Sequence, residues 1–380
     1  MVEVEVNALG EKKVKFRNPW IYNREIKRIT GNPEPGEVGI LKINGDPVAI
    51  GYVNKKSKIV FRVLDFNVDV DIEGVIEKRL KDAIERRKGI KNTNSYRLVH
   101  AEADGLPGLV VDKYGDNVVC SFDSAGIDRF KGKIVELIRK LVKPKGIYEK
   151  ASVVRKKEGL DVKSQPLFGQ VDDEFIVFEN DKRFKTFLKD SQKTGFYLDQ
   201  RKNRQIVSRY GRERTLDLFA HSGAFGIYAN TKFTKFVEIS KKAVELIEEN
   251  CKLNDIGNFE VVTGDVFKFL ENENDKYDLI VIDPPAFAKN RNALKGAKRG
   301  LKYLLVNSLR LLENGGHLAI FSCSHVVGYK ELLDISLSSS IALGVSLEVV
   351  EFLKQDIDHP YLLNVPSSLY LTGLLLKRVS

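Results

Sequence analysis

The chain has 380 residues, 43% of them apolar, and a formal charge of +10, more than a single core usually serves, so two or three globular domains are expected. Met1-Val2-Glu3-Val4-Glu5-Val6 has neither the basic start nor the apolar core of a signal peptide, and no window approaches the ~18 apolar residues of a membrane span, so the expectation is a cytoplasmic protein with no membrane partner. Three cysteines without Cys-x-x-Cys spacing argue for a reducing compartment and against a metal site, and clustered positive charge favours nucleic acid over a small acidic substrate, although Lys- and Glu-rich, Met-poor chains are also common among heat-adapted proteins.

In chain order, residues 1 to about 68 read as short strands, Val4–Val6, Val14–Phe16, Gly39–Ile43, Pro47–Val53 and Ile59–Val63, punctuated by turns such as Asn44-Gly45-Asp46. That suits a small β-barrel or sandwich. From Glu73 to Lys88 the apolar residues recur at helix spacing. Strands Tyr96–Ala101, Leu109–Val111 and Asn117–Phe122, a helix near Arg129–Val142 and a strand Gly146–Glu149 follow, which is an α+β pattern. A hairpin, Phe175–Phe178 with Phe184–Leu188, leads into Gly195-Phe196-Tyr197-Leu198-Asp199-Gln200-Arg201.

From Thr215 onward strands and helices alternate. The expected order is strand Leu216–Phe219, helix Ala224–Ala229, strand Phe233–Val237, helix Ser240–Leu253, strand Glu260–Thr263 and helix Phe267–Glu271. Strand Leu279–Ile282, helix Gly300–Leu312, strand His317–Phe321, helix Tyr329–Ser339 and two last strands near Val345–Phe352 and Leu369–Lys377 complete it. Alternation of this kind implies a mainly parallel, doubly wound sheet, whose ligands lie at the C-terminal strand ends.

Three acids stand at three successive strand ends. Asp217 precedes a turn of small residues, Ser222-Gly223-Ala224-Phe225-Gly226, that lets the backbone approach a ligand. Glu238 follows about 20 residues later, where a carboxylate meets a ribose, and Asp265 stands either to meet an adenine amino group or to cap the next helix. With no phosphate-binding loop, S-adenosylmethionine suits the set better than a dinucleotide or ATP. The fourth strand ends Asp283-Pro284-Pro285-Ala286-Phe287, a stiff bracket that aims a carboxylate and a carbonyl at a planar base, with Phe287 for stacking.

The fifth strand ends Ser322-Cys323-Ser324. Carbon 5 of a pyrimidine is a poor nucleophile until a thiolate adds to carbon 6, so Cys323 beside Asp283 points to C5 methylation. Two rivals stay open: methylation of an exocyclic amine by the bracket alone, and a non-catalytic RNA-binding assembly factor. Cys120 and Cys251 fall on expected core faces. The expected loop after the bracket, 289–302, carries six basic residues and no acid, so Lys289, Arg291, Lys295, Lys298 and Arg299 are candidates to grip phosphates around a flipped base.

Three longer motifs carry a family resemblance: Asn18-Pro19-Trp20-Ile21-Tyr22 with Gly51-Tyr52-Val53-Asn54; Glu102-Ala103-Asp104-Gly105-Leu106-Pro107-Gly108-Leu109; and Lys193-Thr194-Gly195-Phe196-Tyr197-Leu198-Asp199-Gln200-Arg201. Together with Asp-Pro-Pro and Ser-Cys-Ser, they resemble the three-domain, S-adenosylmethionine-dependent 23S rRNA cytosine-C5 methyltransferases with a PUA domain, over essentially the whole chain. Here His325 is followed by Val326, where some relatives have two histidines.

The resemblance implies an α/β chain with an N-terminal PUA-like small β-barrel that helps hold RNA (1–68), a central α+β domain (69–185) and a C-terminal doubly wound Rossmann-like methyltransferase sheet (186–380). It implies Cys323 as nucleophile and Asp283 as the base contact, with Pro284 and Phe287 beside them. Its cofactor positions are Tyr197, Asp199, Gln200, Asp217, Phe219, Ser222, Gly223, Ala224, Phe225, Glu238, Ser240, Asp265 and Asp283. The implied cofactor is S-adenosyl-L-methionine, and the implied partner is large-subunit ribosomal RNA, unassembled or partly assembled; a homodimer stays open.

Overall fold

A computed structural model describes residues 2–188, 195–288 and 290–380. Contacts divide it into two units, one of Met1–Phe175, Phe187–Gly195 and Asp358–Ser368, the other of Ile176–Thr186, Phe196–Ile357 and Leu369–Ser380. Among the described residues no helix is long and apolar enough to cross a membrane.

The first unit holds two sheets. The first has six strands, in the spatial order Trp20–Tyr22, Ile59–Asp65, Asp46–Val53, Glu37–Ile43, Val2–Val6, Ile26–Thr30. Alternating residues such as Val4, Leu41 and Phe61 fill its core. The expected strand Val14–Phe16 is instead the end of a helix, Ala8–Lys15. Asn7 caps that helix by accepting hydrogen bonds from the amides of Leu9 and Gly10, and Val14 turns its one buried face inward while Phe16 is exposed. A single apolar-polar-apolar triplet suits either period, and the cap decides it.

The second sheet has five strands, Gln165–Gly169, Gly146–Glu149, Asn117–Phe122, Leu109–Tyr114 and Ser95–His100. Helices Ile72–Arg87 and Lys131–Val142 cover it, joining Ile76, Leu80, Ile134 and Ile138 to Val118 and Phe122 in one core.

The second unit is built on a seven-stranded sheet. Its strands are β1 (Arg214–Leu218), β2 (Phe233–Glu238), β3 (Phe259–Thr263), β4 (Tyr277–Ile282), β5 (Leu312–Ser322), β6 (Leu347–Lys354) and β7 (Thr372–Arg378), in the order β3-β2-β1-β4-β5-β7-β6. The first five are parallel, and β7 runs antiparallel between β5 and β6. Leu279, Ile280, Val281 and Ile282 are all fully buried, the continuous apolar run of a strand covered on both faces. Helices α1 (Arg201–Val207), α2 (Ala224–Ala229), α3 (Lys241–Leu253), α4 (Val266–Asn272), α5 (Leu294–Leu311) and α6 (Tyr329–Leu343) connect or flank the strands.

Helix α5 begins six residues before the expected Gly300. Leu294, Ala297, Leu301, Leu305 and Leu309 pack inward at helix spacing, so the basic segment is mostly helix, with two internal glycines and a row of cations that hide its apolar stripe from a sequence reading. The hairpin Glu174–Glu179 and Lys182–Phe187 forms as expected. Its residues 176–186 pack with the second unit, where the buried Glu179 carboxylate accepts from both Nε and Nη2 of Arg204 at 2.7 Å.

Candidate active site

The parallel sheet points five strand ends the same way, and the candidate residues stand on them. After β1 the backbone takes left-handed φ at Phe219 (60°), His221 (51°) and Gly223 (73°) before α2 starts. Such values are strained for a phenylalanine, and they curl the turn back on itself, so that the Ala220 amide donates to the Val237 carbonyl at 3.2 Å and the Gly223 amide to the Ala220 carbonyl at 2.8 Å. Gly226 lies against β2: a Cβ there would strike the Phe236 ring and the Thr234 methyl, so this close packing needs glycine.

Carboxylates hold the turn. Asp217 is buried and its Oδ2 accepts from the Gly226 amide at 2.9 Å. Burial pushes its carboxyl up to about 8, against the pull of that amide, and the negative charges of Asp283 and Glu238 push the same way. Glu238 accepts from the His221 amide through Oε2 and from the Ser240 amide through Oε1, both at 2.9 Å. One acid thereby fixes the ends of two adjacent strand-to-helix turns. Asp265 caps α4, its Oδ1 accepting from the amides of Phe267 (2.9 Å) and Lys268 (3.1 Å). Ser240 caps α3 through the amide of Ala243 at 3.4 Å.

The segment before α1 packs over the same strand ends. The Tyr197 ring stands edge-on to His221 with centroids 4.9 Å apart. Asp199 is buried and accepts from the Tyr370 hydroxyl at 2.7 Å. Gln200, 1% exposed, donates through Nε2 to Asp283 Oδ2 at 3.0 Å. Lys193 and Thr194 of this motif lie outside the described residues, as does Lys289.

The segment Pro284-Pro285-Ala286-Phe287 and the cysteine share one cleft. Pro284, Phe287, Ala288, Leu301 and Cys323 line it, and its free volume is about 10 Å³, room for roughly one water. Cys323 is half-buried while Phe321 and Ser324 beside it are buried. Ser324 ties the two strand ends together, its hydroxyl donating to the Ala288 carbonyl at 2.6 Å. Cys120 and Cys251 are wholly buried, and burial pushes the Cys251 thiol up to about 12 and the Cys120 thiol higher still, so neither is a nucleophile.

Helix α5 separates this cleft from a groove on its other side. Ala297 and Leu301 face the cleft; Arg291, Lys295, Lys298, Arg299 and Lys302 line the groove, with Asp334 of α6 opposite, around a volume of about 540 Å³.

Sequence reasoning missed two contacts in this site. Asn203 donates to Gln200 Oε1 at 2.6 Å, and its position three residues on, one helical turn away, was a usable signal. Tyr370 reaches Asp199 from 171 residues away, and no local pattern announces that.

A doubly wound sheet with a curled small-residue turn after β1 and acids at the ends of β1, β2 and β3 is the cofactor-binding arrangement of the S-adenosylmethionine-dependent methyltransferases. The set suits a sulfonium cation bearing a ribose: acids at successive strand ends, a tightly curled turn of small residues, and no Lys-bearing phosphate loop.

Comparison with known proteins agrees. A PUA-like domain family matches residues 4–66, and an S-adenosylmethionine-dependent methyltransferase family matches residues 148–375. The chain is 37% identical to Ribosomal RNA large subunit methyltransferase I of Aeromonas hydrophila and 36% to that of Tolumonas auensis, covering 97% of this chain and 97% of each relative. Among solved structures, a protein assigned to the methyltransferases and crystallised with SAH superposes with a TM-score of 0.85 at 24% identity, covering 99% of this chain and all of that one. A Streptococcus mutans protein assigned to the same class gives 0.84 at 23% identity, over 99% of this chain. Likeness at that identity carries the fold.

The chain belongs to the S-adenosylmethionine-dependent methyltransferase family that includes the proteins named Ribosomal RNA large subunit methyltransferase I. Its cofactor is S-adenosylmethionine.

Proposed function

We propose that this enzyme methylates C5 of a cytosine in large-subunit ribosomal RNA through a covalent adduct between Cys323 and C6. The relatives' name supports the substrate, and the observation that carries the chemistry is the shared cleft: Cys323 and Pro284-Pro285-Ala286-Phe287, the residues that directly follow Asp283, line one pocket, joined by the hydrogen bond from Ser324 to Ala288. Methylation of an exocyclic amine needs no thiol at that place.

S-adenosylmethionine, when bound at the ends of β1 to β3, supplies an electrophilic methyl group. Asp217 and Glu238 hold the turn against it, Glu238 and Asp265 Oδ2 meet the ribose and adenine, and Tyr197, Asp199, Phe219, Ser222, Gly223, Ala224, Phe225 and Ser240 complete its surroundings. Phe287 stacks on the target base and the Pro284 carbonyl accepts from its amino group. The Cys323 thiolate forms a bond to C6; the electron pair moves toward C5 and N3, where Asp283, which takes up a proton when the base binds, donates that proton in a hydrogen bond to N3. C5 takes the methyl group, loses its proton to a base, and the C6–Sγ bond breaks to restore the thiolate.

The cleft is tight, so base entry requires the 284–288 or 322–327 segment to shift, as expected for an enzyme that takes a base out of its stack. Residues 1–68 form the RNA-gripping PUA-like domain, 69–185 the central domain and 186–380 the catalytic domain. Arg291, Lys295, Lys298 and Arg299 contact RNA phosphates.

Cys323→Ala tests the reading. It is expected to retain S-adenosylmethionine binding, to lose C5 methylation by at least roughly 10³-fold, and to lose the covalent complex that the parent forms with RNA containing 5-fluorocytosine. Methylation retained in Cys323→Ala, or a product methylated on an exocyclic amine, overturns it.

A further inference from the structure

Asp283 acts on the base only if its carboxylate is held in one orientation, and a buried side chain is placed to hold it. Gln200 is 1% exposed, sits just before α1, and spends both ends of its amide on this task. Its Nε2 donates to Asp283 Oδ2 at 3.0 Å, and its Oε1 accepts from Asn203 Nδ2 at 2.6 Å. Asn203, itself 2% exposed, thereby fixes which way the Gln200 amide faces: a flipped amide would set carbonyl against carboxylate at one end and two NH₂ groups against each other at the other. The other buried polar residues flanking Gln200 are engaged elsewhere. Arg201 pairs with Asp356 through Nε at 2.7 Å, Arg204 pairs with Glu179, and Asp199 accepts from Tyr370.

We infer that Gln200, oriented by Asn203, is a positioning residue of the reaction: it holds Asp283 Oδ2 as an acceptor and so fixes the orientation of the carboxyl group that acts on the target base. The inference rests on the role proposed above for Asp283. It assigns Gln200 to the support of Asp283 rather than to the cofactor contact that its motif implied. It also gives a physical reason for a glutamine in Tyr197-Leu198-Asp199-Gln200: a carboxylate there would face Asp283 with like charge, and an apolar residue would withdraw the donor that fixes the aspartate's orientation.

The test compares Gln200→Leu, Gln200→Glu and Asn203→Leu with the parent enzyme, measuring kcat, KM for RNA, S-adenosylmethionine Kd and melting temperature. Gln200→Leu is expected to lower kcat roughly 10- to 100-fold with cofactor Kd changed less than about 2-fold, and Asn203→Leu to do the same more weakly. Gln200→Glu carries the distinguishing readout. Once the pH is low enough for the introduced carboxyl to carry a proton, it donates to Asp283 as the amide did and accepts from Asn203. The activity of Gln200→Glu relative to parent therefore rises as pH falls from about 8.5 to about 6, while that of Gln200→Leu stays flat. A purely structural role would lower melting temperature and cofactor affinity in all variants, with no pH dependence in the ratio, and that result overturns the inference. Parent-like kcat in Gln200→Leu overturns it too. Asp283→Asn is run beside them: if it keeps full activity, the proposed use of Asp283 fails and this inference with it, whereas an inactive Asp283→Asn beside an unaffected Gln200→Leu removes only the inference.

Discussion

At the scale of single residues, Asp217 makes the stability of this protein depend on pH. An aspartate in an unfolded chain loses its proton near about pH 3.9, whereas the buried Asp217 carboxyl keeps its proton until about pH 8. Between those values the folded state binds more protons than the unfolded one, so this group's contribution to stability falls as pH rises, and is flat below about 4 and above about 8. Each pH unit separating the two values corresponds to about 1.4 kcal/mol, so the fall across the window is on the order of a few kcal/mol. In the cofactor-free protein we expect the melting temperature to drop between about pH 5 and pH 8, and Asp217→Asn, which still accepts from the Gly226 amide, to remove most of that drop. Parallel pH profiles for the two proteins would show that the carboxyl is ionised throughout. The same burial explains why a sequence reading could pick out Asp217 by its strand-end position but not its protonation: the charge state depends first on desolvation in the folded interior and then on Asp283 and Glu238, which are distant in sequence.

At the scale of elements, legibility followed local pattern. Strands β1 to β5 and the three acids at their ends were readable because apolar runs and small-residue turns are written in consecutive residues. Helix α5 was half legible. Its cations stand out in the sequence as a cluster, but a cluster read as a loop has no faces, and the structure gives it two: Ala297 and Leu301 line the cleft of Cys323, while Lys295, Lys298, Arg299 and Lys302 line the groove behind. That geometry separates two measurable effects. Reversing Lys295, Lys298 and Arg299 to glutamate is expected to weaken RNA binding and to make the slope of log K against log salt shallower by roughly 0.7 for each phosphate that is no longer neutralised, with cofactor affinity unchanged. Unchanged RNA affinity in the triple variant would take the groove out of substrate recognition. The cleft-facing Leu301 belongs to the other effect: shortening it to alanine enlarges the Cys323 cleft without touching the salt slope.

At the scale of the whole molecule, the chain crosses between the two units repeatedly, and residues 358–368 show what that does to folding. They lie between β6 and β7 in sequence yet belong to the first unit. Asp358 is fully buried there, accepting from the Arg97 amide through Oδ2 at 2.9 Å, while its carbonyl accepts from Arg87 Nη2 at 2.9 Å. Arg87, itself 1% exposed, also pairs with Asp104 through two bonds of 2.7 Å. Farther along, Asn364 accepts from Asn18 and donates to the Arg17 carbonyl, each at 2.6 Å. A reading that divides the chain into consecutive domains has no means of finding such a strap, because its partners lie 261 to 347 residues upstream. The strap closes the hydrogen bonding of buried charge, so its loss costs more than its few residues suggest. We expect Asp358→Ala to destabilise by about 2–4 kcal/mol, since it takes a buried carboxylate from the Arg97 amide and disturbs the site where Arg87 is anchored. Hydrogen exchange locates the damage: amides of the helix Ile72–Arg87 and the strand Ser95–His100 lose protection, while those of β1 to β4 keep theirs. A fragment of residues 1–185, which contains every strand of the first unit's two sheets but not the strap, is expected to melt at lower temperature than those elements do in the intact chain. Equal protection in Asp358→Ala and parent, or a fragment as stable as the whole, would mean that the strap merely rests on a unit already complete without it.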